Sequence, residues 1–224
     1  METRVKNNPV STLLALIGLA LIGGCATLEP NADEQVADMA SYNGDYGTAL
    51  ALVQRHANAG EPWAQLRLGI AYEDISGAKK ELRTAIQRYE RKENIPTAIE
   101  WYKKAAAQKA TGKWAEGVRF GTSGRDGYFN QNNYARIAQY HLANIYLKGQ
   151  GVSKDLEQAY LNIRTVVDET KGQDIYFCCE FAGGVYVNAL AIDNTYKAVL
   201  KQMTDEQKKQ AEGEYLRQLR DRKK

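Results

Sequence analysis

The chain has 224 residues, 44% hydrophobic and 25% charged, proportions of a folded protein that exclude disorder along its whole length. Its 30 basic side chains against 27 acidic ones leave +3, too even a balance for holding nucleic acid by charge. Two histidines and three cysteines are too few for a metal centre or a disulfide scaffold, and four prolines exclude a proline-rich or collagenous chain.

The first predicted element is a leader. Arg4 and Lys6 precede an apolar run from Val10 to Ile22, too short for a permanent spanning helix, which needs about 20 residues. A basic start, a short apolar run and small residues describe a secretory signal peptide. At its end, Ile22-Gly23-Gly24-Cys25 resembles the bacterial lipobox. The resemblance implies removal of residues 1–24 and acylation of Cys25, so that the only cofactor-like group expected is a covalent lipid. Ala26 follows where an aspartate is associated with inner-membrane retention, which implies an anchor in the outer membrane facing the periplasm. Two or three acyl chains at about 0.8 kcal/mol per buried methylene hold a protein stably, and one only marginally. Residues 25–43 then read as the lipidated cysteine and a flexible tether, kept extended at Pro30.

From Asp45 onward apolar residues recur three and four apart. This spacing predicts amphipathic helices near 45–58, 62–73, 78–92, 95–109, 133–148, 153–170, 174–190 and 204–220. No stretch alternates cleanly at period two, so no sheet is expected. Small residues occupy matching places: Ala64, Leu68, Gly69 and Tyr72 in one segment, Ala138, Leu142, Ala143 and Tyr146 in another. Ala98, Trp101, Ala105 and Ala106 mark a third, while Gly149-Gln150-Gly151-Val152 forms a turn followed by Asp155 and Ala159.

This pattern resembles the Sel1-like repeat, a helix–turn–helix unit related to the tetratricopeptide repeat. The resemblance runs from about 45 to 170 and implies an all-α fold, an α-solenoid with repeats over 44–172. Residues 173–224 then read as a degenerate repeat and capping helices that end in a charged helix. Alanines let helices approach, glycine ends the first helix with positive φ, and tyrosine and tryptophan fill the seam between units. Asp155 complements the open amides at the start of the second helix.

Ala64 and Ala138 stand 74 residues apart, about twice an ordinary repeat of roughly 34–45. Two insertions account for the stretch: Asp74–Asn94, with a helical stripe, and Thr111–Asn133, glycine- and aromatic-rich and expected to be a long ordered loop. Insertions in solenoids gather on one face, often the binding one. Trp114, Phe120, Arg125, Tyr128, Phe129 and Tyr134 cluster around the second insertion, and tyrosine, tryptophan and arginine dominate binding hot spots. They are the candidate protein-binding residues.

Catalytic and metal strings are weak. Ser76-Gly77-Ala78-Lys79 fits a Ser-x-x-Lys string, but its companion Ser41-Tyr42-Asn43 comes in reversed order and a Lys-Thr-Gly string is missing. Gly121, Gly124 and Gly127 lack the Lys-Ser/Thr ending of a phosphate loop. His56 and His141 sit in different predicted helices without carboxylate or cysteine at ligand spacing, so no metal site is expected. Cys178 and Cys179 are adjacent and read as buried small hydrophobes, with a strained vicinal disulfide or an intermolecular bond as alternatives.

The expected function is non-enzymatic: a periplasm-facing lipoprotein that binds another protein, an envelope protein or a secreted effector. The resemblance to Sel1-like immunity lipoproteins implies an inhibitor of a membrane-attacking effector. The alternatives are a general envelope scaffold and, more remotely, an envelope hydrolase acting on peptidoglycan or a β-lactam. The last eight residues carry five positive charges and one negative, so the mild basicity of the chain is one basic tail.

Overall fold

A computed structural model of the chain describes residues 32–73, 94–108, 115–120, 125–129, 133–176 and 186–222. The expected helix over 78–92 lies outside them, as does the whole leader with Cys25. The described helices are α1 (Ala32–Tyr42), α2 (Tyr46–Asn58), α3 (Pro62–Glu73) and α4 (Ile95–Ala106). They continue with α5 (Asn133–Lys148), α6 (Leu156–Thr170), α7 (Ala189–Gln202) and α8 (Asp205–Arg222).

A recurring cap reveals the unit. The side chain of Asp45 accepts from the Thr48 amide (3.1 Å), Asn94 from Thr97 (3.1 Å) and Asp155 from Gln158 (2.9 Å). Each bond satisfies one amide left open at a helix start, worth about 1 kcal/mol. These three capped helices, α2, α4 and α6, are the second members of the pairs α1–α2, α3–α4 and α5–α6; α7 is capped in the same way by Asn188. Each helix from α1 to α6 packs on the next, which is how a solenoid buries a continuous core from local contacts. The last helix, α8, packs back on α6. The fold is an all-α solenoid.

The repeat alanines form its interior. Ala64, Ala98, Ala105, Ala138 and Ala159 are all fully buried, with Leu68 and Leu142 beside them. Gly69 is glycine because Tyr102 lies against it: a Cβ there would stand 2.5 Å from the ring atoms Cδ1 and Cε1. Gly149 and Gly151 hold φ of 68° and 62° in the turn between α5 and α6. A Cβ on Gly151 would also meet Ile95 Cβ at 2.7 Å.

Three expectations are corrected. Residues 32–42, assigned to the tether, are helix α1, with Ala37 buried and Asp33 Oδ2 accepting from Arg55 Nη2 and His56 Nε2, both at 2.8 Å. A polar sequence read as flexible forms a helix because α2 supplies partners for Asp33 and an apolar floor for Ala37. The second insertion, expected as a loop, contains the antiparallel strands β1 (Ala115–Phe120) and β2 (Arg125–Phe129), with Phe120 opposite Arg125. The expected helix over 174–190 is instead β3 (Ile175–Tyr176) and β4 (Tyr186–Val187), followed by α7. Tyr128 pairs in parallel with Ile175, and β3 pairs antiparallel with β4, so the four strands lie in the order β1-β2-β3-β4. The pairing joins segments almost 50 residues apart, and two-residue strands are too short to show an alternating pattern.

The aromatic seam is corrected by one position. Tyr102, not Trp101, is fully buried between the repeats; Trp101 is half-buried with Lys104 Nζ 4.0 Å over its ring. Ala98, Tyr102 and Ala105 follow the four-and-three spacing of one helical face, and Trp101 sits at its edge. Tyr72 is buried; Tyr146 and Ala106 are partly buried against the same core.

Candidate functional site

Two polar features interrupt the apolar interior. The first joins the two central repeats. Tyr102 donates its hydroxyl hydrogen to Glu73 Oε2 at 2.5 Å, and His141 Nδ1 lies 3.2 Å from the same oxygen. The Tyr102 and His141 rings stack, with centroids 5.0 Å apart and planes 6° apart, while Tyr140 meets His141 edge-on. Burial pushes the Tyr102 phenol well above its ordinary value, and the Glu73 charge adds to the rise. The sequence suggested no carboxylate near His141; the fold brings one from 68 residues away. All three side chains are buried, so the cluster ties α3, α4 and α5 together. Among the described residues no group of three histidine, cysteine, aspartate or glutamate side chains could hold a metal ion.

The second feature is an open groove of about 980 Å³ between α6 and α8, closed at one end by the last residues of α4 and the start of α5. Leu161 and Leu219 give it an apolar strip, and Gln108, Gln158, Asn162 and Gln218 give it amides. Glu169 holds its far wall together: its carboxylate is 2.7 Å from Arg136 Nε and 3.6 Å from Arg222 Nη1. Arg136 is buried, which depresses its pKa, and the carboxylate of Glu169 opposes that fall. Arg136 also donates to Gln139 Oε1.

The helix α8 reaches the groove through polar contacts with α6. Tyr215 donates to Asp168 Oδ2 at 2.5 Å, Tyr160 to Glu212 Oε2 at 2.6 Å, and the Arg164 guanidinium lies 4.7 Å over the Tyr215 ring. Only Ala211 and Tyr215 of α8 are buried. The charged C-terminal helix is therefore docked by one face, and its Arg217 and Arg222 edge lines the groove.

Five of the six candidate binding residues lie in described elements. Phe120 ends β1, and Arg125, Tyr128 and Phe129 lie on β2, which the sheet fastens to β3 just beyond the C-terminus of α6. Tyr134, in the first turn of α5, is partly buried against the core two residues before Arg136. Trp114, Ser76, Lys79, Cys178 and Cys179 lie outside the described residues. The groove residues Arg136, Glu169 and Arg222 were not singled out from sequence. Arg136 carried a signal: it is the charged residue set among Ala135, Ile137 and Ala138.

The Sel1 repeat family model matches residues 88–109 and 136–161, the region of α4 and the α5–α6 pair. No curated protein and no solved structure matches the chain. Sel1 repeats are in general modules for protein–protein interaction, and the fold is typically non-catalytic. Over these two segments, which hold the Asn94 and Asp155 caps and the glycine turn after α5, the chain carries Sel1 repeats.

Proposed function

We propose that this protein is a lipid-anchored, periplasm-facing Sel1-repeat protein that acts by binding another protein and not by catalysis. The observation that carries the binding reading is the groove between α6 and α8: an apolar strip rimmed by amides and arginines. Such a surface suits a segment of protein, which brings apolar side chains and backbone groups together. The anchor rests on Cys25 at the end of the leader.

Within this reading the partner is a secreted, membrane-attacking effector and the protein is its inhibitor. An acylated inhibitor is held at the surface where such an effector arrives. A general envelope scaffold uses the same groove with a resident envelope protein. The two differ in the partner recovered.

The test is crosslinked affinity capture of the acylated full chain from envelopes, in wild type and in Gln158→Trp, which fills the groove from an exposed position. One protein recovered with wild type and lost with the variant supports the groove; its identity as effector or envelope protein decides between inhibitor and scaffold. Equal recovery by both refutes the groove. Palmitate labelling tests the anchor: incorporation is expected in wild type and none in Cys25→Ala.

A further inference from the structure

The two ends of the solenoid have opposite outer surfaces. Terminal helices of repeat arrays are expected to be polar outside, because no further repeat covers them. The C-terminal helix α8 largely obeys, with only Ala211 and Tyr215 buried, Leu216 its one large exposed hydrophobic, and the rest mostly charged or amide side chains. The N-terminal helix α1 does not. Val36 is 50% exposed, Met39 57% and Tyr42 85%, and these are three of the five large exposed hydrophobics among the described residues. Their spacing of three places them along one side of α1. The other side is engaged: Ala37 is buried, and Asp33 is bonded to Arg55 and His56 of α2.

We propose that this outward stripe of α1 rests on the lipid surface, and the inference rests on the reading of Cys25 as the acylated residue. Cys25 precedes Ala32 by seven residues, a span of at most about 25 Å when fully extended. An acylated Cys25 therefore keeps α1 within reach of the bilayer at all times. Val36 and Met39 supply apolar surface, and Tyr42 supplies a ring with a polar tip, the kind of side chain that settles at the headgroup level. Three side chains fall short of the roughly 800 Å² per partner that a stable dimer buries. A surface already tethered by acyl chains needs far less, because the anchor has removed most of the entropic cost of association. The solenoid then stands with α1 against the membrane.

The experiment uses the full acylated chain, with benzoylphenylalanine placed at 39 or 42 and, as controls, at the exposed Lys197 of α7. Each purified protein is reconstituted on vesicles of phosphatidylethanolamine and phosphatidylglycerol, irradiated and analysed by intact mass. The expected result is a phospholipid adduct from 39 and 42 and none above background from 197. A protein–protein adduct from 39 and 42 overturns the inference in favour of a second copy or another partner. Equal lipid adducts from all three positions, or none from 39 and 42, overturn it as well. Intact mass before irradiation separates this from failure of the anchor: a mature chain without acyl groups removes the premise, whereas an acylated chain with no adduct at 39 and 42 refutes only the contact.

Discussion

Alanine at position 69 should destabilise the protein although it improves the helix. Gly69 lies within α3, where replacing glycine by alanine ordinarily gains up to about 1 kcal/mol. Here the new Cβ would stand 2.5 Å from two atoms of the Tyr102 ring, about 1 Å inside normal carbon–carbon contact. The ring has no free direction in which to retreat. It is fully buried, stacked on His141 at 5.0 Å and bonded through its hydroxyl to Glu73 at 2.5 Å. Overpacking of this kind costs about 1–3 kcal/mol, and loosening the buried hydrogen bond adds about 1–3 more. After the helix gain is deducted, the net loss is about 1–5 kcal/mol, or roughly 2–20 °C in Tm for a chain of this size. Urea unfolding of Gly69→Ala measures it directly. The same substitution in a Tyr102→Ala background should reverse sign and stabilise by up to about 1 kcal/mol, because the obstacle is gone. Gly69→Ala that stabilises the wild-type protein, or costs the same in both backgrounds, would refute the account of the repeat seam.

Asp155→Ala removes the cap of α6 and should cost about 1 kcal/mol, with most of it restored by Asp155→Asn, as read from urea midpoints. Glu169→Ala leaves the buried Arg136 without its carboxylate and should cost about 3 kcal/mol, with Glu169→Gln recovering part of the loss. Stability should also fall on the alkaline side. The folded protein holds the Tyr102 phenol above its ordinary value of 10.0, and Tyr160 and Tyr215 are raised by burial and by their bonds to Glu212 and Asp168. The folded state therefore keeps protons that the unfolded chain loses, so this stability is intact below pH 10 and declines as pH rises beyond it. Unfolding midpoints measured up to about pH 11 should show the decline, and Tyr102→Phe should reduce its slope; a flat profile would contradict the burial of these phenols.

The repeat was legible in the sequence wherever the information is local. The helices at 62–73 and 133–148 are placed by sequence at the residues where the structure has them, since period and end signals lie within each segment. The Asp155 cap and the Gly149–Gly151 turn are equally local. What sequence reading missed depends on distant partners. Helix α1 is held by Arg55 and His56, more than 20 residues away, and without them its polar sequence looks like a tether. The strand at Ile175 needs β2 beside it. The hairpin itself left a trace, because four residues with two glycines separate Phe120 from Arg125. Tyr102 was within reach too, at the four-and-three spacing from Ala98 to Ala105, but the family's tryptophan position drew attention to Trp101. The groove could not be read from the sequence. Arg136, Glu169 and Arg222 come from three helices, and only the return of α8 onto α6 sets them around one space.

The central claim is that this solenoid binds a partner protein in the groove between α6 and α8. The most direct measurement is the affinity of the purified partner, once captured, for the wild-type protein, Gln158→Trp and a control substitution, Lys197→Trp, on α7. Filling the groove at Gln158 should weaken binding by about 2 kcal/mol or more, roughly thirtyfold in Kd, and the control should leave it unchanged. A partner that binds Gln158→Trp as tightly as wild type would contradict the claim and place recognition on another face.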